Sequence, residues 1–386
     1  MTATVARRAS RAERERLRQD FVRLCEIESP SGRERAVADS LLAELRAAGL
    51  APEEDASAAE TEADAGNVIA RIHPPSSAAG GPPATRTVML CAHMDTVPLD
   101  GPVEVVEEDG VLTNRHDAIL GADNKAAVAA ILGVARRFAG EAPPVGLELV
   151  FTTSEEPGLR GAKAIDRGAL RSEFGFVFDH ASPIGELIVA APSYYRIEGR
   201  FHGKAAHAGL RPEDGRNAIV AAASALASLR LGRIDEGTTA NVGRIHGGTA
   251  ANVVAERCTV ELEARSLDHD RAGDLVSEIV NALTAGASDT ECDLELGVQE
   301  QFRAYRLPRS APPVQAAAEA LAGVGIEASF VSTGGGSDAH AFQAKGLPCL
   351  NVANGTERNH QPDERVTVEA LETMLDVMLG VVAHSA

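Results

Sequence analysis

At 386 residues and a formal net charge of −19, the chain is too long for one typical hydrophobic core and too acidic to favour nucleic acid or an anionic membrane. An apolar fraction of 44% is ordinary for a globular protein, and without tryptophan its cores must be aliphatic. Five scattered cysteines form no CxxC pair, and MTATVARRASRAERERLRQDF carries no apolar signal segment, so a reduced, cytoplasmic protein with no membrane partner is expected.

Leu17, Phe21, Leu24 and Ile27 recur at helical spacing within 10–28. ESPSGRERAVADSLLAELRAAGL comes next as a second helix, with Ser31 a candidate cap and Gly49 a candidate stop. Residues 65–72 resemble a strand, and HPPSSAAGGPPAT, 73–85, reads as a loop. Strands are expected over 88–91, 145–152 and 174–178, with a helix over 123–138. Strands alternating with helices predict an α/β class with a largely parallel sheet. In such sheets ligands gather at the carboxyl ends of strands.

The pattern changes near Ala190. YYRIEGRFHG alternates as a strand with one exposed face, DGRNAIVAAASALASLRL reads as a helix, and TTANVGRIHGG and ANVVAERCTVELEARS read as paired strands. DHDRAGDLVSEIVNALTAG adds a helix and CDLELGVQE a last strand. This β-α-β-β-α-β order suits a small ferredoxin-like α+β module inserted over 193–303. PVQAAAEALAGVG and GLPCLNV return to the α/β pattern, so residues 1–192 and 304–386 should share one discontinuous domain.

His93 and Asp95 sit two apart where the apolar strand VMLCA ends, so they face the same way. That geometry suits a metal-ligating histidine with a supporting carboxylate. Alone the pair is weak, because most such pairs are surface or satisfied core residues. Asp123 precedes an apolar helix and taken alone reads as its N-cap, with Lys125 solvated. Glu155 and Glu156 come after the strand LELVFTT and before the turn Pro157-Gly158, where one can bind metal and the other act as base. Asp179 ends FGFVFDH, and His360 lies in a polar loop after CLNV. Jointly these make a mixed N/O set suited to zinc or a similar first-row ion. With three acids and two histidines, two ions have three protein ligands each only if one carboxylate bridges.

CAHMDTVP, GADNKAA, TSEEPG, FD and NH, in this order and spacing, resemble the di-zinc aminoacylase/carboxypeptidase superfamily over about residues 15–380. ILGADNK and GGTAANVV are similar to its aminotripeptidase, or peptidase T, branch. The resemblance implies a catalytic domain holding two zinc ions, with cobalt or manganese as alternatives. It implies Asp123 as the bridge, His93 and Asp179 completing one site, and Glu156 and His360 the other. Glu155 would be the general base and Asp95 the partner of His93. The insert would be a lid and dimerisation domain. His207 in GKAAHAG would reach the partner subunit's active site in a homodimer, and Asn252 and Arg265 would meet substrate. Read without the resemblance, His207 is a surface histidine and Arg265 a strand-end salt-bridge residue.

The chain departs from the family pattern at His180, where glycine is usual, and at His116 before GADNK. STGGGSDAH resembles the family's Gly-rich loop near the substrate, and lacks the Lys-Ser/Thr of a phosphate-binding loop. The implied activity is hydrolysis of short peptides, releasing the N-terminal residue of di- or tripeptides. A carboxypeptidase or an N-acyl-amino-acid deacylase would use the same chemistry. A catalytically inactive metal or peptide binder is the alternative of another class, and the intact Glu155-Glu156 pair counts against it.

Overall fold

A computed structural model describes residues 7–74 and 86–386; the loop expected over 73–85 falls almost wholly outside the described residues. The chain divides into two units, one comprising Met1–Val189, Arg306–Ser332 and Ser337–Ala386, the other Ala190–Tyr305 with Thr333–Gly336.

The large sheet of the first unit contains, in spatial order, Glu53–Glu54, Val68–Ile72, Gly146–Thr152, Thr87–His93, Phe174–His180, Cys349–Ala353 and Glu186–Ala191. Its centre is parallel: Thr87–His93 pairs with Gly146–Thr152 on one side and Phe174–His180 on the other, and the latter pairs with Cys349–Ala353. Val68–Ile72 and Glu186–Ala191 run antiparallel at the flanks. The sheet is therefore mixed, where the alternation of strands and helices predicts a largely parallel one. Residues 181–185 show why: they are too few for a crossover connection, so Glu186–Ala191 must return antiparallel. The central strands are buried on both faces, as their unbroken apolar runs require.

Register brings the strand ends level with one another. His93 lies opposite Thr152, Cys91 opposite Val177, and Ala353 opposite His180, so four parallel strands end side by side. A smaller antiparallel sheet runs in the order Thr356–Glu357, Arg365–Thr367, Val111–Asn114 and Val105–Glu108. It joins the chain just before Asp123 to both sides of the His360 loop.

The first helix, Arg11–Cys25, opens with a capping box of Ser10 and Glu13. The second begins at Arg35, with Glu34 rather than Ser31 at the cap position, and Gly49 (φ +86°) lies just beyond its end. Ser31 instead donates its hydroxyl to Asp95 Oδ2 at 2.6 Å. A short polar side chain beside a buried carboxylate gains more there than at a solvated helix end.

The second unit is a five-stranded antiparallel sheet in the order Gly232–Asp235, Thr238–Gly247, Arg257–Ser266, Ser193–His202 and Asp293–Phe302. Helices Ala218–Ser228 and His269–Asp289 share its core, formed by Ile197, Phe201, Val260, Leu262, Leu275, Ile279 and Leu283. The helices approach closely at Gly286, where a Cβ would meet Ala221 O at 2.6 Å and Ala225 Cβ at 2.7 Å. The outermost strand, Asp293–Phe302, carries exposed Leu296 and Val298. Among the described residues no helix is long and apolar enough to cross a membrane.

Candidate functional site

The strand ends of the first unit deliver titratable side chains to one place. His93, the last residue of its strand, is buried, and its Nε2 lies 3.3 Å from Asp123 Oδ1 and 3.5 Å from Asp179 Oδ1. His360 Nε2 lies 3.3 Å from Asp123 Oδ2 and 3.0 Å from Glu156 Oε1. Asp123 thus stands between the two imidazoles. It comes after Gly121 and Ala122, its backbone (φ −81°, ψ 105°) is not helical, and its peptide bond to Asn124 is cis. Its carboxylate faces the histidines rather than the helix amides, so the simple N-cap reading does not hold.

Asp95 is fully buried and supports this arrangement from behind. Its Oδ1 lies 3.4 Å from His93 Nδ1 and accepts the Glu155 amide at 2.9 Å, while Oδ2 accepts the Glu156 amide at 3.2 Å. His93 Nδ1 also lies 2.9 Å from the Asp95 carbonyl oxygen. Asp179 is held by a reciprocal pair: its amide donates to Asn351 Oδ1 and its carbonyl accepts from Asn351 Nδ2, both at 3.0 Å. His360 sits in the hairpin loop of the small sheet with φ +66° and is about half exposed.

The electrostatics are those of a crowd of buried acids. Burial and the Asp179 charge push the Glu155 carboxyl well up, and burial and the Asp123 charge push Asp179 to about 8. Burial would raise Asp123 too, but hydrogen bonds and charge from His360 and His93 outweigh it and hold it low. Asp123 and Glu156 raise His360 to about 10, and His93 is raised by its acidic neighbours against the penalty of burial. Carboxylates that cannot all ionise around two imidazoles are a donor set that a divalent cation fits, because its charge removes the conflict. Ligand atoms of His93, Glu155 and Asp179 lie within 4.8 Å of one another, as do those of His93, Asp123 and Glu156. Two candidate groups sharing His93 suggest a dinuclear metal site. Proximity alone therefore places Glu155 among the possible ligands as well.

The other three candidate residues belong to the second unit. His207 and Asn252 are exposed on adjoining segments, with the Ala208 amide donating to the Asn252 carbonyl at 3.0 Å and the Gly209 amide to His207 Nδ1 at 3.2 Å. Arg265 on strand Arg257–Ser266 stacks over Tyr194 with its guanidinium carbon 4.1 Å from the ring centroid. It pairs with Glu263 at 3.1 Å and donates to the Gly334 carbonyl at 2.8 Å, so the Gly-rich loop is anchored to it. His116 and His180 lie 3.5 and 3.9 Å from Glu104 and Glu186, and neither belongs to the two candidate metal groups.

Several supporting residues escape a reading of the sequence. Lys125 is not solvated: it is 1% exposed and donates to the Leu24 and Ile27 carbonyls, both at 3.2 Å, at the end of the first helix. Burial lowers its ammonium to about 8. Glu34 is buried and accepts from the Ser154 amide and hydroxyl at 3.0 and 3.1 Å, bracing the turn before Glu155. Asp338 is buried under the strand ends, accepting from Thr152 Oγ1 at 2.5 Å, and burial raises its carboxyl to about 6. Glu364 is buried against the segment that carries Asp123, and burial raises it to about 7.

Comparison with known proteins agrees with this geometry. The model of Peptidase family M20/M25/M40 matches residues 89–384. The uncharacterized protein YqjE of Bacillus subtilis strain 168 is 32% identical over 372 residues, covering 96% of this chain and 98% of its own. The crystal structure of aminopeptidase PepT from Bacillus cereus is similar with a TM-score of 0.87 and 31% identity, covering 96% of this chain and 98% of that one. A tripeptidase structure from Staphylococcus aureus is similar with a TM-score of 0.90 and 30% identity, again over 96% and 98%.

Proposed function

Because the chain belongs to peptidase family M20/M25/M40, close to the peptidase T/aminoacylase branch, we propose that it is a binuclear metallopeptidase releasing the N-terminal residue of di- and tripeptides. The observation that carries this reading is Asp123, which offers one carboxylate oxygen to each of two histidines that have further acids beside them. In this reading His93 and Asp179 complete one metal position and Glu156 and His360 the other. Zinc ions held there, or cobalt or manganese in their place, would polarise the scissile carbonyl and acidify a water.

The chain's own groups supply the rest. Glu155 takes the proton of the attacking water on its carboxylate and passes it to the leaving amine. Asp95 fixes the ring of His93 and, through two amides, the Glu155-Glu156 turn. The second unit acts as a ferredoxin-like lid and dimerisation domain. By the resemblance of their motifs, His207 donates to the tetrahedral oxyanion in the partner subunit, Asn252 lies beside the substrate, and Arg265 holds its carboxylate. The proposed compartment is the cytoplasm, where five buried, unpaired cysteines stay reduced.

The names of the two similar structures, an aminopeptidase and a tripeptidase, support cleavage from the amino end. The test compares kcat/KM of the metal-loaded protein on a tripeptide and on an N-acetyl amino acid. The tripeptide is expected to win. Preference for the N-acetyl amino acid by tenfold, about 1.4 kcal/mol, moves the assignment to a deacylase and leaves the metal reading standing.

A further inference from the structure

The Asp123 segment and the His360 loop come from distant parts of the chain, yet their side chains meet at 3.3 Å. One buried side chain links them. Glu364, 1% exposed, accepts the amides of Leu120 at 2.9 Å and Gly121 at 2.8 Å on Oε2, and that of Asp123 at 2.9 Å on Oε1. Its own amide donates to the Gln361 carbonyl at 3.0 Å, and the Gln361 amide donates to the Arg358 carbonyl at 3.1 Å, which closes the loop that carries His360. The next strand, Arg365–Thr367, pairs with Val111–Asn114, just upstream of Leu120.

Taking the binuclear reading as its premise, we propose that Glu364 is a positioning residue that sets Asp123 against His360 and so governs the ion held by Asp123, His360 and Glu156. All three hydrogen bonds of its carboxylate go to main-chain amides, and they use both oxygens. Only a carboxylate offers acceptors at both places. Glutamine would present an NH₂ donor to one of them and force apart two groups that both donate. The Asp123 amide is one bond from its Cα, so loosening it frees the carboxylate to turn away from one histidine. An ion at His93 and Asp179 would share Asp123 but keep two ligands on strands that Glu364 does not touch, so it should suffer much less.

The experiment titrates metal-free wild type, Glu364→Gln and Glu364→Ala with cobalt(II), following d–d absorption. Wild type should take two ions. In E364Q one ion should bind about tenfold or more weakly while the other changes little, and E364A should be worse, in the range usual for groups that orient metal ligands. Hydrogen exchange of the metal-free proteins should show lost protection at residues 120–123 and none lost in Thr87–His93. A merely structural role would weaken both ions together or lower protection everywhere. Two ions bound as in wild type, or unchanged exchange at 120–123, overturns the proposal. Wild type binding fewer than two ions overturns the binuclear reading instead, and the exchange result still judges the grip of Glu364. If E364Q does not fold, Glu364→Asp carries the same readouts, since it keeps the charge and shortens the reach.

Discussion

Asp123 meets His93 through Oδ1 and His360 through Oδ2, each at 3.3 Å. A carboxylate bound to two imidazoles by opposite oxygens is the arrangement of a bridge. Elemental analysis of reconstituted protein should therefore approach two ions per chain, about 3.5–4 Å apart by X-ray absorption. Full activity with a single tightly bound ion would end the binuclear mechanism.

Glu155 and Glu156 are neighbours with different proposed duties, and both lie close enough to His93 to bind metal. Glu155→Gln should leave both ions in place and lower kcat by a factor on the order of 10²–10⁴. Glu156→Gln should release or weaken one ion. If Glu155→Gln loses an ion instead, Glu155 is a ligand and another group is the base.

The strand Asp293–Phe302 is an edge of its sheet among the described residues, with Leu296 and Val298 exposed on one side. Long open edges are usually covered, and a two-fold homodimer would cover this one. Analytical ultracentrifugation should find a dimer in wild type and a monomer in Leu296→Arg/Val298→Arg. Mixing inactive His207→Ala and Glu155→Gln chains should restore roughly a quarter of wild-type activity by random pairing, if His207 serves the partner's site. A fully active monomer contradicts both expectations.

Arg265 is the cation proposed to hold the substrate carboxylate, and Tyr194, Glu263 and Gly334 already fix its direction. Amidating the C-terminus of a tripeptide should reduce kcat/KM by the equivalent of about 1.5–3 kcal/mol, the value of a charged hydrogen bond. Arg265→Ala should lower activity on the free peptide and remove most of that discrimination. Equal discrimination in the variant would free Arg265 of this role.

Lys125 titrates near 8 in the folded protein, against 10.5 for an ordinary lysine. Between those values the unfolded chain keeps a proton that the folded protein has released, so raising the pH favours folding. The gain across that window is on the order of 3 kcal/mol, all absent below pH 8. In metal-free protein, the stability of wild type relative to Lys125→Met should therefore rise from pH 8 to 10.5. A flat difference would mean that Lys125 does not titrate as its burial demands.

The sequence made some of this site legible and hid the rest for a physical reason. His93 and Asp95 show themselves because a two-residue period at the end of an apolar strand leaves both side chains on one side. Asp123 looks like a helix cap because an acid before an apolar helix usually is one, and nothing local reveals its non-helical backbone. Glu34 and Glu364 leave no trace at all. Glu364 accepts only from main-chain amides far along the chain, and Glu34 braces the distant Ser154 partly through its amide; an amide has no letter in the sequence. Lys125 reads as solvated for the same reason, since it answers two carbonyls at the end of another helix.

The strand Cys349–Ala353 lies between Phe174–His180 and Glu186–Ala191, inside the large sheet rather than at its rim. Synthesis delivers it late, after the whole of the second unit. A ribosome-bound chain that already contains His93, Asp123, Glu155, Glu156 and Asp179 thus has a slot in its sheet. It also lacks Asn351, which clasps Asp179, and it lacks His360. In the proposed reading the metal-holding cluster is complete only once the segment that carries Asn351 and His360 has joined the sheet.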